Sequence, residues 1–211
     1  KELCVSSVNS DFNQITTDLG RSGHGTHIAG IIGATSNNGI GIAGLASDRV
    51  ELMGICCQTE NSIYSSYAAR GVEYAVAHGA RIINMSLGTT SSDNLLKAAM
   101  EYAYSQNVLV VCSAGNTGSA GSHYPSGYAE TIGIISVDKN NQKMTTSNYG
   151  SDNYLSAPGS SIYSTLPGGR YGYLSGTSMA AGVVSGIAAY VLSLDSSMTV
   201  EQLKSVLSET A

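Results

Sequence analysis

Ser178 lies in a stretch of sequence that could activate a hydroxyl group for acyl transfer. It belongs to Gly176-Thr177-Ser178-Met179-Ala180 and precedes an uncharged run, 180–194, which predicts a buried helix. At the N-terminus of that helix, unpaired backbone N–H groups and the positive end of the dipole would stabilise an oxyanion beside the serine. The same residue could instead be an N-cap serine with no chemical role, so the rest of the sequence has to decide between the two.

Two histidines are candidates for the base that such a serine needs. His24 and His27 lie three residues apart at the start of 24–32, where apolar and small residues predict a second buried helix. A pair at this spacing could bind a metal, but the glutamate of the H-E-x-x-H motif is missing. We therefore expect no metal here: one histidine should act in catalysis, and the other should be packed or hydrogen-bonded.

Strands and helices alternate from Val50 onward, and this order predicts the fold. The predicted strands are 50–57, 81–87, 108–113 and 131–137, and the predicted helices are 65–79 and 92–106. Such alternation favours a three-layer α/β fold, in which helices flank both faces of a mostly parallel central sheet. Ligands of such sheets bind beyond the carboxyl ends of the strands, where Leu87-Gly88 and Gly115-Asn116 both fall. Residues 3–5 predict one further short strand.

Composition and charge limit the classes of function. The 211 residues carry a net charge of −5 and no basic cluster, which argues against nucleic acid as a partner. The uncharged stretch 171–194 is long enough to cross a bilayer, but serines, threonines and glycines interrupt it, so we expect a core helix and no membrane span. No signal peptide opens the sequence, and its first residues look like the start of a processed fragment.

The cysteines do not indicate a metal centre. They lack the C-x-x-C spacing that is typical of zinc sites. We expect them to be mostly buried free thiols, and they leave the redox compartment undecided. They are Cys4, Cys56, Cys57 and Cys112.

Four motifs, in this order, resemble those of the subtilisin-like serine proteases, peptidase family S8: His24 with its neighbours, Ser86-Leu87-Gly88, Ser113-Ala114-Gly115-Asn116 and the Ser178 segment. The resemblance implies that Ser178 is the nucleophile and His24 the general base. It also implies that Asn116 donates to the oxyanion hole together with the Ser178 N–H. The expected activity is that of a serine endopeptidase that acts on polypeptides without a cofactor. A secreted or cell-surface location is favoured over a cytoplasmic one.

The resemblance also implies which residues would bind the peptide. Ser86-Leu87-Gly88 matches a strand that pairs with an extended substrate and walls the primary specificity pocket, and Ser113-Ala114-Gly115 matches the opposite wall. His123, just before Tyr124-Pro125, falls near the floor of this pocket, where the family often has a small residue. We expect the histidine either to shorten the pocket or to favour polar or acidic side chains.

The loop around Asn38, with Ile40 and Ile42, resembles the calcium loop of the family. Its alternating residues leave backbone carbonyls available for turns or for a hard cation. The upstream segments that complete the family's calcium site have no counterpart in this sequence, so the prediction stops short of a calcium site.

The sequence departs from the family in the third member of the catalytic triad. The family carries an aspartate on the first core strand, well before the histidine, whereas only 23 residues precede His24. Neither Asp11 nor Asp18 follows an apolar strand, so neither matches the motif. We therefore expect one incomplete subtilisin-like domain over 1–211, without the N-terminal strand or strands and the last C-terminal elements of the fold.

Three functions are compatible with this pattern. The first is the main piece of a nicked protease, whose aspartate lies on a separate N-terminal segment of the same precursor; a propeptide or inhibitor would then be a further partner. The second is a pseudoprotease, a non-catalytic binding or regulatory module on the same fold. The third is an unrelated α/β hydrolase, which is disfavoured because no G-x-S-x-G motif surrounds Ser178.

Overall fold

The computed structural model describes residues 2–6, 23–57, 63–150 and 154–210. The strands are β1 Glu2–Ser6, β2 Glu51–Ile55, β3 Ala80–Met85, β4 Leu109–Ser113, β5 Thr131–Val137, β6 Tyr154–Pro158, β7 Ile162–Leu166 and β8 Arg170–Leu174. The helices are α1 His24–Gly33, α2 Ser65–Ala77, α3 Asn94–Ser105, α4 Thr177–Leu194 and α5 Val200–Glu209, with a 3₁₀ turn at Ser47–Arg49.

Six strands form a parallel sheet in the order β2-β1-β3-β4-β5-β6. Alternate residues of a strand point to opposite faces. Ile82 of β3 therefore packs in the cluster that includes α1 and α4, whereas its neighbour Ile83 packs in the cluster that includes α2 and α3. Helices thus cover both faces of the sheet, and the predicted three-layer α/β fold is confirmed.

The short strand predicted at 3–5 is present as β1, and it lies in the interior of the sheet. Cys4 is in register with Met53 of β2 on one side and with Ile83 of β3 on the other. The sheet is continuous from β2 to β6. β1 carries no aspartate, so the absence of the aspartate-bearing N-terminal strand stays a prediction. Both aspartates that precede His24, Asp11 and Asp18, lie outside the described residues.

Two glycines let α4 lie close to α1. A Cβ atom added at Gly182 would be 3.3 Å from Cγ2 of Ile28, and one added at Gly186 would be 2.8 Å from Cβ of Leu45 and 3.5 Å from Cα of Ile32. Gly182 and Gly186 are four residues apart on α4, and the residues of α1 that they approach, Ile28 and Ile32, are also four residues apart. The two helices therefore run side by side in the same direction.

α4 is the core helix that the sequence predicted. Among the described residues it alone is long and apolar enough to cross a membrane, with a mean hydropathy of 1.6, but 67% of it is buried inside the fold. It packs against α1 and against β3, β4, β5 and β6. Most of its apolar surface is therefore covered by protein, and Ile187, Tyr190 and Leu194 are exposed.

Candidate active site

Ser178 is the second residue of α4 and is 8% exposed. The turn that leads into the helix depends on Gly176, whose φ of 151° is unfavourable for any residue with a side chain. N–H groups in the first turn of a helix have no intrahelical acceptor. The Ser178 N–H therefore belongs to a set of donors at the positive end of α4, as predicted.

His24 lies at the N-terminus of α1, as Ser178 lies at the N-terminus of α4. It is the first residue of α1 and is half-buried. Gly182 lies against Ile28 and Gly186 lies against α1 at Ile32. One turn before Gly182 comes Ser178, and one turn before Ile28 comes His24. The parallel packing therefore brings the predicted nucleophile and the predicted base to the same end of two adjacent helices.

Asn116 is held against the residue that precedes the nucleophile. Its Oδ1 accepts a hydrogen bond from the Thr177 N–H at 3.0 Å and from Thr177 Oγ1 at 3.1 Å. A backbone N–H can only donate, so the carboxamide oxygen faces Thr177 and the NH₂ group points elsewhere. The amide is therefore oriented with its donor available beside the N-terminus of α4, as an oxyanion hole requires.

The segment Ser86-Leu87-Gly88 begins in contact with the nucleophile. Ser86 Oγ donates a hydrogen bond to the Ser178 carbonyl oxygen at 3.0 Å. The opposite segment, Ser113-Ala114-Gly115, is buried. It is tied to the same helix, because the Gly115 N–H donates to Thr177 Oγ1 at 3.2 Å. The two predicted pocket walls are therefore both fixed to the first turn of α4.

The imidazole ring of His123 lies between these two segments. A Cβ atom added at Gly88 would be 2.2 Å from His123 Cε1, and one added at Gly115 would be 3.0 Å from its Cδ2. The ring therefore occupies the space between the glycines that end the two segments. The main chain is anchored as well, since the His123 carbonyl accepts from Ser126 Oγ and from the Gly127 N–H, both at 2.7 Å.

The His123 ring is in a weakly solvated environment. Burial lowers the pKa of His123, and a hydrogen bond with the Ser113 backbone opposes that shift. Its Nδ1 atom is buried and has no hydrogen-bond partner among the described residues. The lowered pKa favours the neutral ring at neutral pH.

His27 is the packed histidine that the sequence predicted. It is fully buried, and its Nε2 lies 3.0 Å from the Ile162 carbonyl oxygen and 3.2 Å from that of Gly172. Both are acceptors, so Nε2 carries the hydrogen. Burial lowers the pKa of His27, and the two backbone hydrogen bonds oppose that shift. The ring therefore ties α1 to the β7–β8 hairpin.

Comparison with models of protein families assigns the chain to one of them. The model of the subtilase family matches residues 4–211. The chain belongs to the subtilase family. This membership agrees with the confirmed fold and with the order of the motifs around His24, Asn116 and Ser178.

Individual subtilases match over most of the chain. A thermostable alkaline protease of Halalkalibacterium halodurans is 41% identical over 191 residues, which cover 90% of this chain and 52% of the relative. Thermitase of Thermoactinomyces vulgaris is 41% identical over 178 residues, which cover 84% of this chain and 64% of the relative. The chain thus spans between about half and two thirds of the length of these two relatives.

A solved protease structure has the same fold. The self-cleaved protease domain of PatA superposes with a TM-score of 0.83 at 29% identity, over 98% of this chain and 85% of that chain. A likeness of this extent places the described helices and strands in the same arrangement as in the solved domain.

The loop that resembles the calcium loop of the family has only uncharged side chains in this chain. The loop, residues 35–43, contains no carboxylate, and Asn38 Oδ1 accepts a hydrogen bond from the Ile40 N–H at 2.9 Å. Within the described ranges, no group of three or more histidine, cysteine, aspartate or glutamate residues could hold a metal ion.

Two of the cysteines of this subtilase are buried thiols. Cys57 and Cys112 are free and buried, and burial raises the pKa of Cys57 to about 12 and that of Cys112 further still. A high pKa keeps the reactive thiolate form scarce. Cys56 is half-buried.

Sequence reasoning missed three polar residues that support the site. The sequence shows Thr177 only as part of the serine motif, whereas in the structure its hydroxyl contacts both Gly115 and Asn116. Asn84 and Ser185 were not singled out, although both are fully buried. Asn84 and Ser185 each interrupt an apolar run of sequence, and this feature could have identified them.

Proposed function

We propose that this subtilase chain is the catalytic part of a serine endopeptidase that cleaves peptide bonds through an acyl-enzyme. The fixed orientation of the Asn116 carboxamide beside the first turn of α4 is the observation that supports this function best. An N-cap serine with no chemical role would not need an exposed asparagine whose carboxamide oxygen is fixed on the residue before it.

In this mechanism, Ser178 Oγ attacks the carbonyl carbon of the scissile bond while His24 takes the hydroxyl proton. The oxygen of the tetrahedral intermediate accepts hydrogen bonds from Asn116 Nδ2 and the Ser178 N–H, and the positive end of α4 favours its negative charge. His24 then gives the proton to the leaving amine. Water, activated by the same base, releases the acyl group and restores Ser178.

The peptide substrate would lie between the two segments that are fixed to α4. Main-chain groups of Ser86-Leu87-Gly88 would pair with an extended peptide, and the side chain before the scissile bond would point between this segment and Ser113-Ala114-Gly115. Because the His123 ring occupies the space between Gly88 and Gly115, we propose a short pocket that accepts small side chains. An acidic preference is less well supported, since burial lowers the pKa of His123 and removes its positive charge.

The acidic partner of His24 is the part of the triad that β1 does not supply. The strand reads Glu2-Leu3-Cys4-Val5-Ser6 and contains no aspartate. We propose that the aspartate lies on a separate segment of the same precursor. The similar PatA domain was solved in a self-cleaved form, which is a precedent for processing in this fold. Because β1 fills the position between β2 and β3, such a segment would have to displace it or approach from outside the sheet.

A non-catalytic binding module is the alternative, and the same absence of an aspartate from β1 favours it. Loss of the triad aspartate lowers kcat about 10⁴-fold, a magnitude established on serine proteases of this catalytic type. A pseudoprotease would retain the peptide-binding segments and the oxyanion donors without useful turnover.

A serine-reactive fluorophosphonate probe distinguishes the two functions. Native material should be labelled at Ser178, the Ser178→Ala variant should not be labelled, and mass determination should find a co-purifying peptide that contains an aspartate. A folded protein that fails to react, with no such peptide, would support the binding module and contradict the endopeptidase.

A further inference from the structure

A continuous series of hydrogen bonds connects the middle of α4 with the nucleophile. Ser185 Oγ donates to Asn84 Oδ1 at 3.1 Å, and Asn84 Nδ2 donates to Ser86 Oγ at 2.9 Å. Ser86 Oγ then donates to the Ser178 carbonyl oxygen at 3.0 Å. We call this series, Ser185-Asn84-Ser86-Ser178, the serine–asparagine relay.

Every hydrogen bond of the relay has one possible direction. The Ser178 carbonyl can only accept, so the Ser86 hydroxyl hydrogen points to it. Ser86 must then accept from Asn84, which requires the NH₂ group of Asn84 on that side. The remaining Asn84 oxygen can only accept, so Ser185 donates to it. Hydrogen bonds that are aligned in this way polarise one another.

Burial makes the relay energetically important. Ser185 and Asn84 are both fully buried, and Asn84 interrupts the apolar strand β3. A carboxamide in such a place costs free energy unless its polar atoms are satisfied. Both of its polar atoms have partners, and both bonds serve to hold Ser86 in one orientation.

Ser86 is where the relay meets the proposed chemistry. Its hydroxyl contacts the backbone of Ser178, and its main chain begins the segment that would pair with the peptide. We propose that Ser185 and Asn84 are positioning residues, which fix Ser86 and through it the alignment of the nucleophile with the bound peptide. This proposal rests on the proposed endopeptidase function, and it extends the active site to a residue two turns along α4.

The kinetic test uses a double-mutant cycle of Ser86→Ala and Ser185→Ala. Loss of the last hydrogen bond should lower kcat about tenfold in Ser86→Ala, the equivalent of about 1.4 kcal/mol, with little change in KM. Ser185→Ala should lower kcat about threefold, and Ser185→Thr, which keeps the hydroxyl, should restore most of it. The double variant should match Ser86→Ala, because both changes break one series. A double variant whose loss is the product of the two single losses would overturn the relay.

Ser193→Ala is the matched control on the same helix. Its hydroxyl donates to the Tyr190 carbonyl within its own turn, so kcat should not change. Thermal stability of all variants is measured in parallel. If Ser185→Ala lowers stability while kcat stays at the wild-type value, the residue is only structural and the proposal is wrong.

A measurement that needs no activity separates this proposal from the proposed function. In uniformly ¹³C,¹⁵N-labelled protein, the Ser178 carbonyl resonance is observed through the Met179 N–H. Ser185→Ala should shift this resonance, and it should cause no further shift in the Ser86→Ala background. If the native protein does not react with a fluorophosphonate, the endopeptidase function fails, and the resonance still decides the relay: a shift that is absent, or that persists without Ser86, overturns it.

Discussion

Asn116 Oδ1 accepts the backbone N–H of Thr177 at 3.0 Å, one residue before the nucleophile. The Thr177 hydroxyl also donates to this oxygen at 3.1 Å and accepts from the Gly115 N–H at 3.2 Å. Residues from the end of β4 and from the start of α4 are thereby joined through one buried threonine. The orientation of the proposed oxyanion donor thus depends on a side chain that would not touch the substrate.

Replacement of Thr177 should therefore affect the rate more than binding. In Thr177→Val the shape is kept, but the Gly115 N–H loses its acceptor and Asn116 loses one donor. We expect kcat to fall about tenfold, as for the loss of about one hydrogen bond, with KM nearly constant. Thr177→Ser keeps the hydroxyl and should retain most of the activity in the same assay with a peptide substrate. Equal losses in the two variants would contradict the role of the hydroxyl.

Removal of the His123 side chain should widen the specificity pocket. In His123→Gly the space between Gly88 and Gly115 becomes empty, so large side chains should be accepted before the scissile bond. A peptide library should show a preference for small residues in the wild type and at least a tenfold relative gain for phenylalanine or leucine in the variant, as for a new apolar contact of about 1–3 kcal/mol. His78→Gly, a change of an exposed histidine, is the control. A wild-type preference for large aliphatic residues would contradict the short pocket.

The close contact between α1 and α4 makes one glycine of α4 more sensitive than another. Gly186→Ala would place a Cβ atom 2.8 Å from Leu45 Cβ, whereas Gly182→Ala would place one 3.3 Å from a terminal methyl group of Ile28. We expect Gly186→Ala to lower the free energy of unfolding by about 1–3 kcal/mol through overpacking. Gly182→Ala should be nearly neutral, because alanine favours the helix by about 1 kcal/mol. Urea unfolding of both variants measures their stabilities. A Gly182→Ala variant that is less stable than Gly186→Ala would contradict the prediction.

His27 should make the fold less stable in acid. Burial lowers the pKa of His27 below its ordinary value of 6.5, so below that pH the unfolded chain binds a proton that the folded chain resists. The contribution of the neutral ring is therefore complete above pH 6.5 and decreases as the pH falls to the lowered pKa of the folded state. The free energy of unfolding, measured at several pH values, should change less with pH in His27→Gln than in the wild type. An unchanged dependence of the free energy of unfolding on pH in His27→Gln would contradict the assignment.

The two aspartates that precede His24 allow a direct test of where the triad carboxylate comes from. Neither follows an apolar strand in the sequence, so we expect Asp11→Asn and Asp18→Asn to keep the activity of the native material. If one variant instead loses about 10⁴-fold in kcat, as expected for the triad aspartate, the carboxylate belongs to this chain. Labelling by the fluorophosphonate probe gives the same comparison without a peptide substrate.

Local patterns in the sequence were enough to predict α1 to α4, the parallel sheet and the packed role of His27, whereas α5 was not predicted. The run after Ser178 and the run after His24 have the small and apolar residues of buried helices, and periodicity needs no knowledge of distant contacts. The family resemblance placed His123 near the floor of the specificity pocket. The structure puts its ring between Gly88 and Gly115, and its role in binding stays a prediction.

Contacts between residues that are far apart in the sequence could not be predicted. The bond between Ser185 and Asn84 joins residues 101 positions apart, and nothing in either local pattern specifies the other residue. The position of β1 was missed for a similar reason. A five-residue strand has too few residues to indicate its neighbours, and its place depends on pairing with β2 and β3.

The place of β1 also has a consequence for how the chain is made. β1 precedes both of its partners, yet it can be seated only after 51–55 and 80–85 have been synthesised. β1 can pair with β2 once 51–55 have been synthesised, but its other edge stays open until 80–85 have followed, and pairing across such sequence separations is slow. A nascent chain of this protein therefore passes through a stage in which this edge of β1 is unpaired, and unpaired strand edges are prone to aggregate.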